Sequence, residues 1–600
     1  MSIVSMTKAT IYGHVNDKAA AMDGLQDLGC LHLIALQRLP AGKTVVTENT
    51  GPTPSARKAW KFLCSTQPRH RQVHDKSRFD ATVVEQRVLE IMDRLQTVRD
   101  EHDFIVKRIE ELKPWGDFQL PPREQIPELN LWFYIVPHYL LHRVERRQKI
   151  WHVAHKDNRN SYVVVISKRE PRHMPVERSH TGKVPYSQLL RRLEELESER
   201  EDLQVERFSL SRWCDLFAQS LNRLEDLALF HDAQNLTYNT EKVFVVQGWV
   251  PLPEVHRLKK YVNHHGLALT LEPPKSQDNP PTLMKNPPSV VSGQKLVSFY
   301  MTPGYRLWDP SRVVLFSFAV FFAIIMSDAG YALILGGLLG LFWGRLSQSH
   351  SGREMRQLWL VLFVASLAWG VLTGSYFGLQ PKAIHWLAYL QVFNVQDTQF
   401  MLRFSIILGA LHLGIANVIQ VWRMAGKKAA FAPLGWIFVL LGGVLLWLAS
   451  EGVVAEPALE PVSAWLLGGG LLLILLFTGT ADRLTGRAWQ GLIAMTRVTN
   501  VFGDVLSYIR LFALGLASAS LAMAFNDLAG QVRHATPAFG TLLAFLVLLL
   551  GHGLNFALII MSGFVHGLRL NFIEFFNWSV AEEGYAYRPF CRKESKTWSS

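Results

Sequence analysis

Residues 500–530 read NVFGDVLSYIRLFALGLASASLAMAFNDLAG. This segment is apolar and long enough to cross a bilayer, which takes about 20 residues, yet Arg510 lies well inside it. An arginine at bilayer depth costs roughly 2.5–3.5 kcal/mol even on the most lenient insertion scale, so such residues usually have a function. We therefore interpret the segment as a membrane helix built around one permanent positive charge.

Small side chains surround Arg510 on one side of this helix. They recur in steps of three and four, which places them on a single face: Gly503, Ser507, Arg510, Ala513, Ala517, Ser520 and Ala524. A face of small residues lets another helix pass at close range. Two interpretations of the charge stay open here. Arg510 either pairs with a fixed carboxylate of the same bundle or serves ions that cross the membrane.

A second membrane arginine ends a polar stripe further along the chain. Within residues 552–576 the same spacing links His552, Asn555, Ile559, Ser562, His566 and Arg569. The other faces of this helix are leucine, phenylalanine, isoleucine and valine. A polar stripe in lipid normally faces the interior of a helix bundle or a water-filled path.

Composition predicts a membrane protein with a large soluble part. Of 600 residues, 49% are hydrophobic and 19% are charged, and the two classes are segregated along the chain. The N-terminus has no apolar core of signal-peptide length, so the first span is expected only after about residue 310. The net charge of +12 does not indicate nucleic acid as a partner, because lysine and arginine cluster at membrane edges and on helix surfaces.

Neither a metal site nor a nucleotide site is predicted. The four cysteines, Cys30, Cys64, Cys214 and Cys591, share no metal-ligand spacing, and we expect free thiols in a reducing, cytoplasmic compartment. Residues 42–44, Gly-Lys-Thr, resemble the end of a phosphate-binding loop, but Gln37 occupies the place of the required first glycine.

Two long helices with heptad spacing are predicted in the soluble part, residues 1–290. In the first, residues 83–113, the seam positions alternate in steps of four and three, and all but His102 are apolar: Val84, Val88, Ile91, Leu95, Val98, His102, Ile105, Ile109 and Leu112. In the second, residues 187–230, they recur every seven residues: Leu189, Leu196, Leu203, Leu210, Phe217 and Leu224. Two such helices around a compact insert should pair as a long antiparallel coiled coil. A stalk of this kind transmits or resists force and does not catalyse.

Runs with strand character predict two small α/β regions joined by this coiled coil. The runs are residues 8–14 and 29–34 around a helix at 15–28, then 132–136, 162–167 and 243–251. A proline-rich linker, residues 273–310, leads to the membrane part. The fold class is therefore an α+β stalk domain followed by an all-α membrane domain.

The membrane domain, residues 311–577, is expected to contain about eight transmembrane helices. Residues 312–343 are broken at Ser327–Tyr331 and give two short spans; the others lie near 358–379, 401–422, 432–450, 462–479, 490–526 and 538–575. One set of loops is strongly basic, with Arg345, Arg353, Arg356, Arg423, Lys427, Lys428, Arg483, Arg487 and Arg497. The positive-inside rule makes that side cytoplasmic. An even number of spans then puts both the stalk domain and the basic tail, residues 578–600, on the cytoplasmic side.

Six motifs in order resemble a known family. They are Leu28-Gly29-Cys30-Leu31-His32-Leu33, Gly248-Trp249-Val250-Pro251, residues 280–287 (PPTLMKNP), Asp328-Ala329-Gly330-Tyr331, Tyr508-Ile509-Arg510-Leu511 and His566-Gly567-Leu568-Arg569-Leu570. The combination resembles the membrane stator subunit, called a or I, of the rotary V-type and A/V-type ATPases and ATP synthases. The short loops are similar to those of the prokaryotic branch. Because the motifs span nearly the whole chain, the match is specific.

This resemblance implies a non-catalytic subunit that forms two half-channels for H⁺ or Na⁺ against a ring of rotor proteolipids. Arg510 matches the family's essential arginine and Arg569 its second one. The ion path is expected to include Ser507, Ser518, His552, Asn555, Ser562, His566 and Glu574, with Glu574 near a cytoplasmic mouth. The chain departs from the eukaryotic branch at Ser518, where that branch has a histidine, and at Ile559, where it has a glutamate.

The same resemblance implies the partners and the location. The partners are the rotor ring (c/K subunits), peripheral-stalk subunits of the E/G type, membrane lipid and, indirectly, the central stalk and the catalytic A/B subunits. No cofactor, metal or nucleic acid is expected. The implied location is the cell (inner) membrane of a prokaryote, crossed several times.

Two other functions would account for part of the sequence pattern. A secondary ion transporter would also hold polar residues in the membrane, but it usually shows paired repeats and helices broken at the midplane. A membrane-tethered coiled-coil scaffold would explain the two long helices but not two arginines in membrane helices.

Overall fold

The computed structural model describes residues 2–36, 51–68, 70–118, 129–146, 150–171, 174–182, 184–379, 389–394, 397–452, 459–479, 484–535, 539–580 and 582–593. The residues that resemble a phosphate-binding loop, 37–44, lie outside these ranges, as do Arg483 and the end of the basic tail.

The described chain divides into two compact units. One contains Met1–Asp17, Cys30–Ala35 and Asn239–Pro589, and the other contains Lys18–Gly29, Leu36–Tyr238 and Phe590–Ser600. Residues 1–17 and 30–35, which the sequence assigned to the stalk domain, therefore group with the apolar helices.

In its described residues, the unit centred on residues 36–238 contains six helices and a small sheet. The helices are Lys18–Leu28, Pro54–Cys64, Ala81–Leu112, Leu141–Glu145, Tyr186–Leu210 and Cys214–Asn235. The sheet is antiparallel, in the order Trp151–Lys156, Asn160–Ser167, Asn130–Pro137 and Arg178–Ser179. The strands predicted at 132–136 and 162–167 are confirmed and pair with each other, with Tyr134 opposite Val163.

Two long helices of this unit pack antiparallel: the first long helix, Ala81–Leu112, and the second, Tyr186–Leu210. Three ion pairs show the direction, because residue numbers rise on one helix as they fall on the other: Arg87–Glu206, Arg94–Glu199 and Glu101–Arg192. Between the helices the heptad positions Val88, Ile91, Val98 and Leu196 are fully buried. Hydrogen bonds from the arginines lower the pKa of Glu206, Glu199 and Glu101.

The prediction of one continuous helix over 187–230 is wrong. The second long helix ends at Leu210, a 3-10 turn covers Ser211–Trp213, and a separate helix runs over Cys214–Asn235. The Ser211 hydroxyl donates to the Phe208 carbonyl at 2.7 Å, a local bond that competes with helical pairing. Such a turn rotates the next helix by only about 60°. The seven-residue repeat of apolar side chains therefore continues across the break and conceals it in the sequence.

The expectation that all four cysteines are free thiols is wrong for two of them, Cys64 and Cys214. Cys64 and Cys214 form a disulfide with their Cα atoms 5.9 Å apart, a separation typical of disulfides. A distance of 150 residues along the chain hides this pairing from any spacing argument. Cys30 and Cys591 are free, and burial raises the pKa of the Cys30 thiol to about 11.

The other unit contains a second antiparallel sheet. Its main strands follow the order His32–Ile34, Val243–Pro251, Met6–His14 and Ala268–Glu272, and Tyr238–Asn239 pairs with Val243–Pro251. The strands predicted at 8–14 and 243–251 are confirmed and pair with each other. The strand predicted over residues 29–34 is also present but is shorter, and it covers only His32–Ile34.

Apolar helices make up most of this unit. The helices that the structure describes here are Val255–His264, Val291–Tyr300, Ser311–Met326, Ala329–Ser347, His350–Thr373, Thr398–Arg423, Phe431–Ser450, Leu459–Phe477, Leu484–Met495, Arg497–Leu506, Ile509–Ala535, Gly540–Arg569 and Phe576–Ser579. Among the described residues, seven helical segments are long and apolar enough to cross a membrane: 329–347, 350–373, 398–423, 428–450, 460–477, 489–535 and 540–579. Ser311–Met326 is a shorter apolar helix of 16 residues.

The break predicted inside residues 312–343 is confirmed. The helix Ser311–Met326 ends at Ser327, whose φ of 44° is left-handed. Asp328 begins the next helix, because its carboxylate accepts the N–H of Tyr331 at 3.0 Å. The same buried carboxylate accepts the Ser375 hydroxyl at 2.7 Å and the Gly378 N–H at 3.0 Å, which fixes the position of Tyr331.

Candidate functional site

The predicted span around Arg510 contains a break just before the arginine. The helix Arg497–Leu506 ends, Ser507 and Tyr508 form a turn, and a new helix, the arginine helix, runs over Ile509–Ala535. The Tyr508 ring is fully buried against Gly409, where a Cβ atom would lie only 2.7 Å from it. The turn exposes the Ser507 carbonyl, which accepts a hydrogen bond from Nε of Arg510 at 3.0 Å.

Arg510 has a carboxylate partner in this chain. Its Nη2 lies 2.8 Å from Oε1 of Glu574, and Nε of Arg569 lies 3.9 Å from the same oxygen. The Glu574 side chain is 2% exposed, whereas that of Arg510 is 26% exposed. Arg510 therefore does pair with a fixed carboxylate of the same bundle, which was the first of its two interpretations. This pairing leaves part of the guanidinium uncovered.

A local change of helix type brings Glu574 to this position. Gly540–Arg569, the stripe helix, continues as a π-helix over Leu570–Phe575. In a regular α-helix, residues five apart such as Arg569 and Glu574 point about 140° away from each other. The wider π-helical turn returns the fifth residue to the same side. Glu574 was predicted as part of the ion path, but the α-helical period gave no reason to pair it with either arginine.

A second polar cluster forms around Tyr331 and contains three predicted residues. The Tyr331 hydroxyl lies 2.7 Å from Nδ1 of His552 and accepts a hydrogen bond from Nδ2 of Asn555 at 2.9 Å. Asn555 also donates to the Ser518 backbone carbonyl at 3.0 Å, and Nε2 of His552 lies 3.1 Å from Oδ1 of Asn526. We call these five residues the Tyr331 cluster.

Sequence reasoning missed Tyr331 and Asn526. Tyr331 belongs to the Asp328–Tyr331 motif, which the sequence predicts as a turn between spans, and a turn gives no reason to expect a functional hydroxyl group. Asn526 follows the apolar part of the arginine helix, where a polar residue is ordinary. Ser518 contributes its backbone carbonyl to the cluster, so its side chain is not what the hydrogen bond requires.

An open cleft adjoins the Tyr331 cluster. It has a volume of about 760 Å³ and is lined by Asn526, Asp527, Gly530, Gln531, His534 and Ala535, all at the C-terminal end of the arginine helix. Asn526 belongs to both the cleft and the cluster, so polar groups continue from the cleft to Ser518.

The predicted stripe is thereby divided between two groups of polar residues. His552 and Asn555 lie in the Tyr331 cluster, and Arg569 lies near Glu574. Between them Ile559 is buried, while Ser562 and His566 are half-buried. Asn555 and Arg569 are fourteen residues apart, roughly 21 Å along a helix, so the stripe joins two separate sites.

The face of small residues next to Arg510 is open. Gly503, Ala513, Ala517, Ser520 and Ala524 are all exposed, and a Cβ atom on Gly503 would meet nothing within 4 Å. The opposite side of the arginine helix is buried: Leu511, Gly515, Ser518 and Ala522 face the bundle. One side of this helix thus packs within the chain, and no described residue covers the side next to the arginine.

Several known proteins are similar to this chain, although no family model matches it. The V-type ATP synthase subunit I of Chlamydia muridarum is 27% identical, and the alignment covers 94% of this chain and 95% of that protein. The A-type ATP synthase subunit I of Pyrococcus horikoshii is 30% identical over 59% of this chain and 54% of that protein.

One solved structure also aligns with part of the chain. It is the crystal structure of the cytoplasmic N-terminal domain of subunit I, homolog of subunit a, of V-ATPase, all of which aligns with 44% of this chain. The identity is 13% and the TM-score 0.21, a score that does not establish a shared fold.

Proposed function

We propose that this chain, a relative of subunit I of the V-type and A-type ATP synthases, is the membrane stator subunit of a rotary ATPase or ATP synthase. In this proposal Arg510 is the fixed positive charge that discharges the carboxylates of a passing rotor ring. The supporting observation is the partly uncovered guanidinium of Arg510 beside an open face of small residues. A rotor helix could slide along that face at close range.

The chemistry follows from the cost of charge in lipid. A rotor carboxylate surrounded by acyl chains must be neutral, so it carries a proton or a coordinated ion. Beside Arg510 the ionised carboxylate is stabilised, and the ion leaves. Arginine suits this role because it keeps its charge even when water is removed. The same fixed charge repels cations and so prevents a direct leak.

Glu574 has a defined part in this proposal. A guanidinium has five N–H donors, and in the described structure the hydrogen bonds of Arg510 use Nε, to Ser507, and Nη2, to Glu574. Glu574 therefore anchors one edge of the group while another edge faces outward for the rotor carboxylate. Because Glu574 is itself buried, the pair also avoids an isolated charge in the bundle.

The two polar groups correspond to two half-channels in this proposal. The Tyr331 cluster and the adjoining cleft would connect to the outside, and His566, Arg569 and Glu574 would connect to the cytoplasm. The basic loops favour this orientation, since Arg497 begins the short helix that directly precedes the arginine helix. Eight spans, with both termini in the cytoplasm of a prokaryote, complete the arrangement.

The soluble part would hold the stator against torque. We propose that the two antiparallel long helices act as a coiled-coil stalk and that peripheral-stalk subunits of the E/G type dock on this part. The rotor ring (c/K subunits) and lipid contact the membrane part, while the A/B subunits do the nucleotide chemistry.

Cysteine accessibility tests the two half-channels. In a chain without its native cysteines, single cysteines at Asn526, His552 and Asn555 should react with a membrane-impermeant maleimide or silver ions added from outside. A cysteine at His566 should react from the cytoplasmic side. Ile560 provides the control, because it packs against the apolar core and should stay unreactive. Equal reactivity at every position, or reaction from one side only, would contradict two separate half-channels.

The stalk is tested at its most buried leucine. Leu196 is 0% exposed between the long helices, and a leucine-to-alanine change in such a core costs about 2–5 kcal/mol. We expect Leu196→Ala to reduce coupled pumping strongly, with the membrane part still inserted. The matched control is Glu199→Gln, three residues away in an exposed ion pair, where we expect little change because surface pairs contribute little. Normal coupling in Leu196→Ala, measured as ions taken up per ATP hydrolysed, would refute a force-bearing stalk.

A further inference from the structure

The helix Thr398–Arg423 brings polar side chains into the bundle that the proposed function does not use. Its inner face contains Ser405, His412, Asn417 and Gln420, all buried. Such groups in a membrane helix are costly and usually have a specific purpose. Asn417 and Gln420 are bonded to backbone: Asn417 donates to the Leu413 carbonyl at 2.9 Å and Gln420 to the Ser579 carbonyl at 3.0 Å.

His412 contacts the chain on both sides of the Arg510–Glu574 pair. Its Nδ1 lies 2.7 Å from the hydroxyl of Tyr508, two residues before Arg510. Its ring stacks on Phe575, the residue after Glu574, with centroids 4.4 Å apart and planes at 14°. The imidazole is 5% exposed. One buried ring therefore contacts a side chain from each of the two segments that carry the ion pair.

Both of these segments depart from regular α-helix. Tyr508 is in the turn that precedes the arginine helix, and Phe575 ends the π-helical segment. Irregular segments of this kind have fewer backbone bonds of their own to fix them, and they often occur at functional sites. Phe321 closes a third side, with its ring edge-on to His412 at 5.0 Å and to Tyr508 at 5.7 Å.

We propose that His412 is a positioning residue, which holds Tyr508 and Phe575 so that Arg510 meets Glu574 and presents its free edge to the rotor. This inference rests on the proposed function of Arg510. The hydrogen bond fixes the turn before Arg510, and the stacked ring fixes the π-helical turn at Glu574. His412 itself touches neither the ion nor the rotor carboxylate.

Three variants distinguish the contribution of the His412–Tyr508 hydrogen bond from that of the stacked His412 ring. His412→Phe keeps an aromatic ring and loses the bond, and Tyr508→Phe removes the same bond from the other side. His412→Asn places an amide atom near the position of Nδ1 and can restore the bond. Ser405→Ala is the matched control, since Ser405 is buried on the same helix face and its hydroxyl has no hydrogen-bond partner in the described structure.

The measurement is ATP-driven acidification, or sodium uptake, in inverted vesicles that contain the whole complex, with subunit content checked by blotting. We expect His412→Phe and Tyr508→Phe each to lower uptake about fivefold, the effect of losing one hydrogen bond of ordinary strength. The double variant should be no worse than either single one. His412→Asn should retain most of the uptake, and Ser405→Ala should be unchanged.

Normal uptake in an assembled His412→Phe complex would overturn the inference, and so would losses that multiply in the double variant. If His412→Phe does not assemble, Tyr508→Phe decides: a loss of uptake supports the inference, and normal uptake overturns it. Arg510→Ala is measured alongside. If Arg510→Ala is inactive while His412→Phe and Tyr508→Phe are normal, only this inference fails; if Arg510→Ala is normal, the proposed function itself is wrong.

Discussion

Arg510→Ala should abolish ATP-driven ion uptake into inverted vesicles while the complex stays assembled. The change removes the only charge on the open face of small residues within the described chain, so a rotor carboxylate arriving there has nothing to stabilise its ionised form. Assembly should survive because the arginine side chain is partly exposed, its removal opens no packed apolar core, and Glu574 keeps a second arginine, Arg569, at 3.9 Å. Arg510→Gln should have the same effect, since it preserves hydrogen bonding without charge.

Arg510→Lys is the most informative variant of this series. Lysine supplies a positive charge but not the planar fork that bonds Ser507 and Glu574 at once. It also loses its proton far more readily than arginine when it is taken out of water. Uptake should therefore be very low and should fall further as the pH of the assay rises.

The control is Arg533→Ala, at the exposed end of the same helix, where we expect wild-type uptake. Uptake and subunit content are measured as for His412. An assembled Arg510→Ala complex that pumps at the wild-type rate would show that ions cross elsewhere and that this helix is structural. Arg569→Ala should be milder, because the Arg569 side chain is half exposed and water can replace it.

Glu574→Ala is expected to have the second largest effect. Removing one partner of a fully buried ion pair typically costs about 3–5 kcal/mol, and the cost here is smaller because Arg510 is 26% exposed. The main consequence is positional: without Glu574 the Ser507 carbonyl is the guanidinium's one remaining hydrogen-bond partner among the described residues, and the group can turn away from the rotor. We expect uptake to fall by at least roughly tenfold, the factor that corresponds to 1.4 kcal/mol.

Glu574→Gln distinguishes the charge from the hydrogen bond. Its amide oxygen can still accept from Arg510, so partial uptake is expected if Glu574 serves mainly to orient the arginine. A Glu574→Gln variant as inactive as Glu574→Ala would indicate that the charge itself is needed, for example to accept a proton. Glu583→Gln is the control, since Glu583 is exposed in the segment that follows the last helix. Full activity of Glu574→Ala would exclude any role for the pair in translocation.

The sequence alone predicted those features of the protein whose physical cause lies in a few neighbouring residues. Alternation along residues 8–14 and 243–251 predicted strands that do form and pair, since a period of two places one side of a strand in the core. The cost of an arginine in lipid singled out Arg510, and the chemistry of Ser327 and Asp328 marked the break between two apolar helices. Each of these features depends on a few consecutive residues and on the solvent around them.

Tertiary structure alone decided which polar groups meet. Arg510 and Glu574 are 64 residues apart, and Tyr331 and His552 are 221 apart. The disulfide of Cys64 and Cys214 and the 3-10 turn at Ser211–Trp213 were equally hidden. The position of a residue within the helical repeat shows which face of the helix it occupies. Its partner, however, depends on how helices that are distant in sequence pack together. Glu574 reaches Arg510 only because a π-helical turn, stabilised by contacts with other helices, changes the local period that any reading of the sequence assumes.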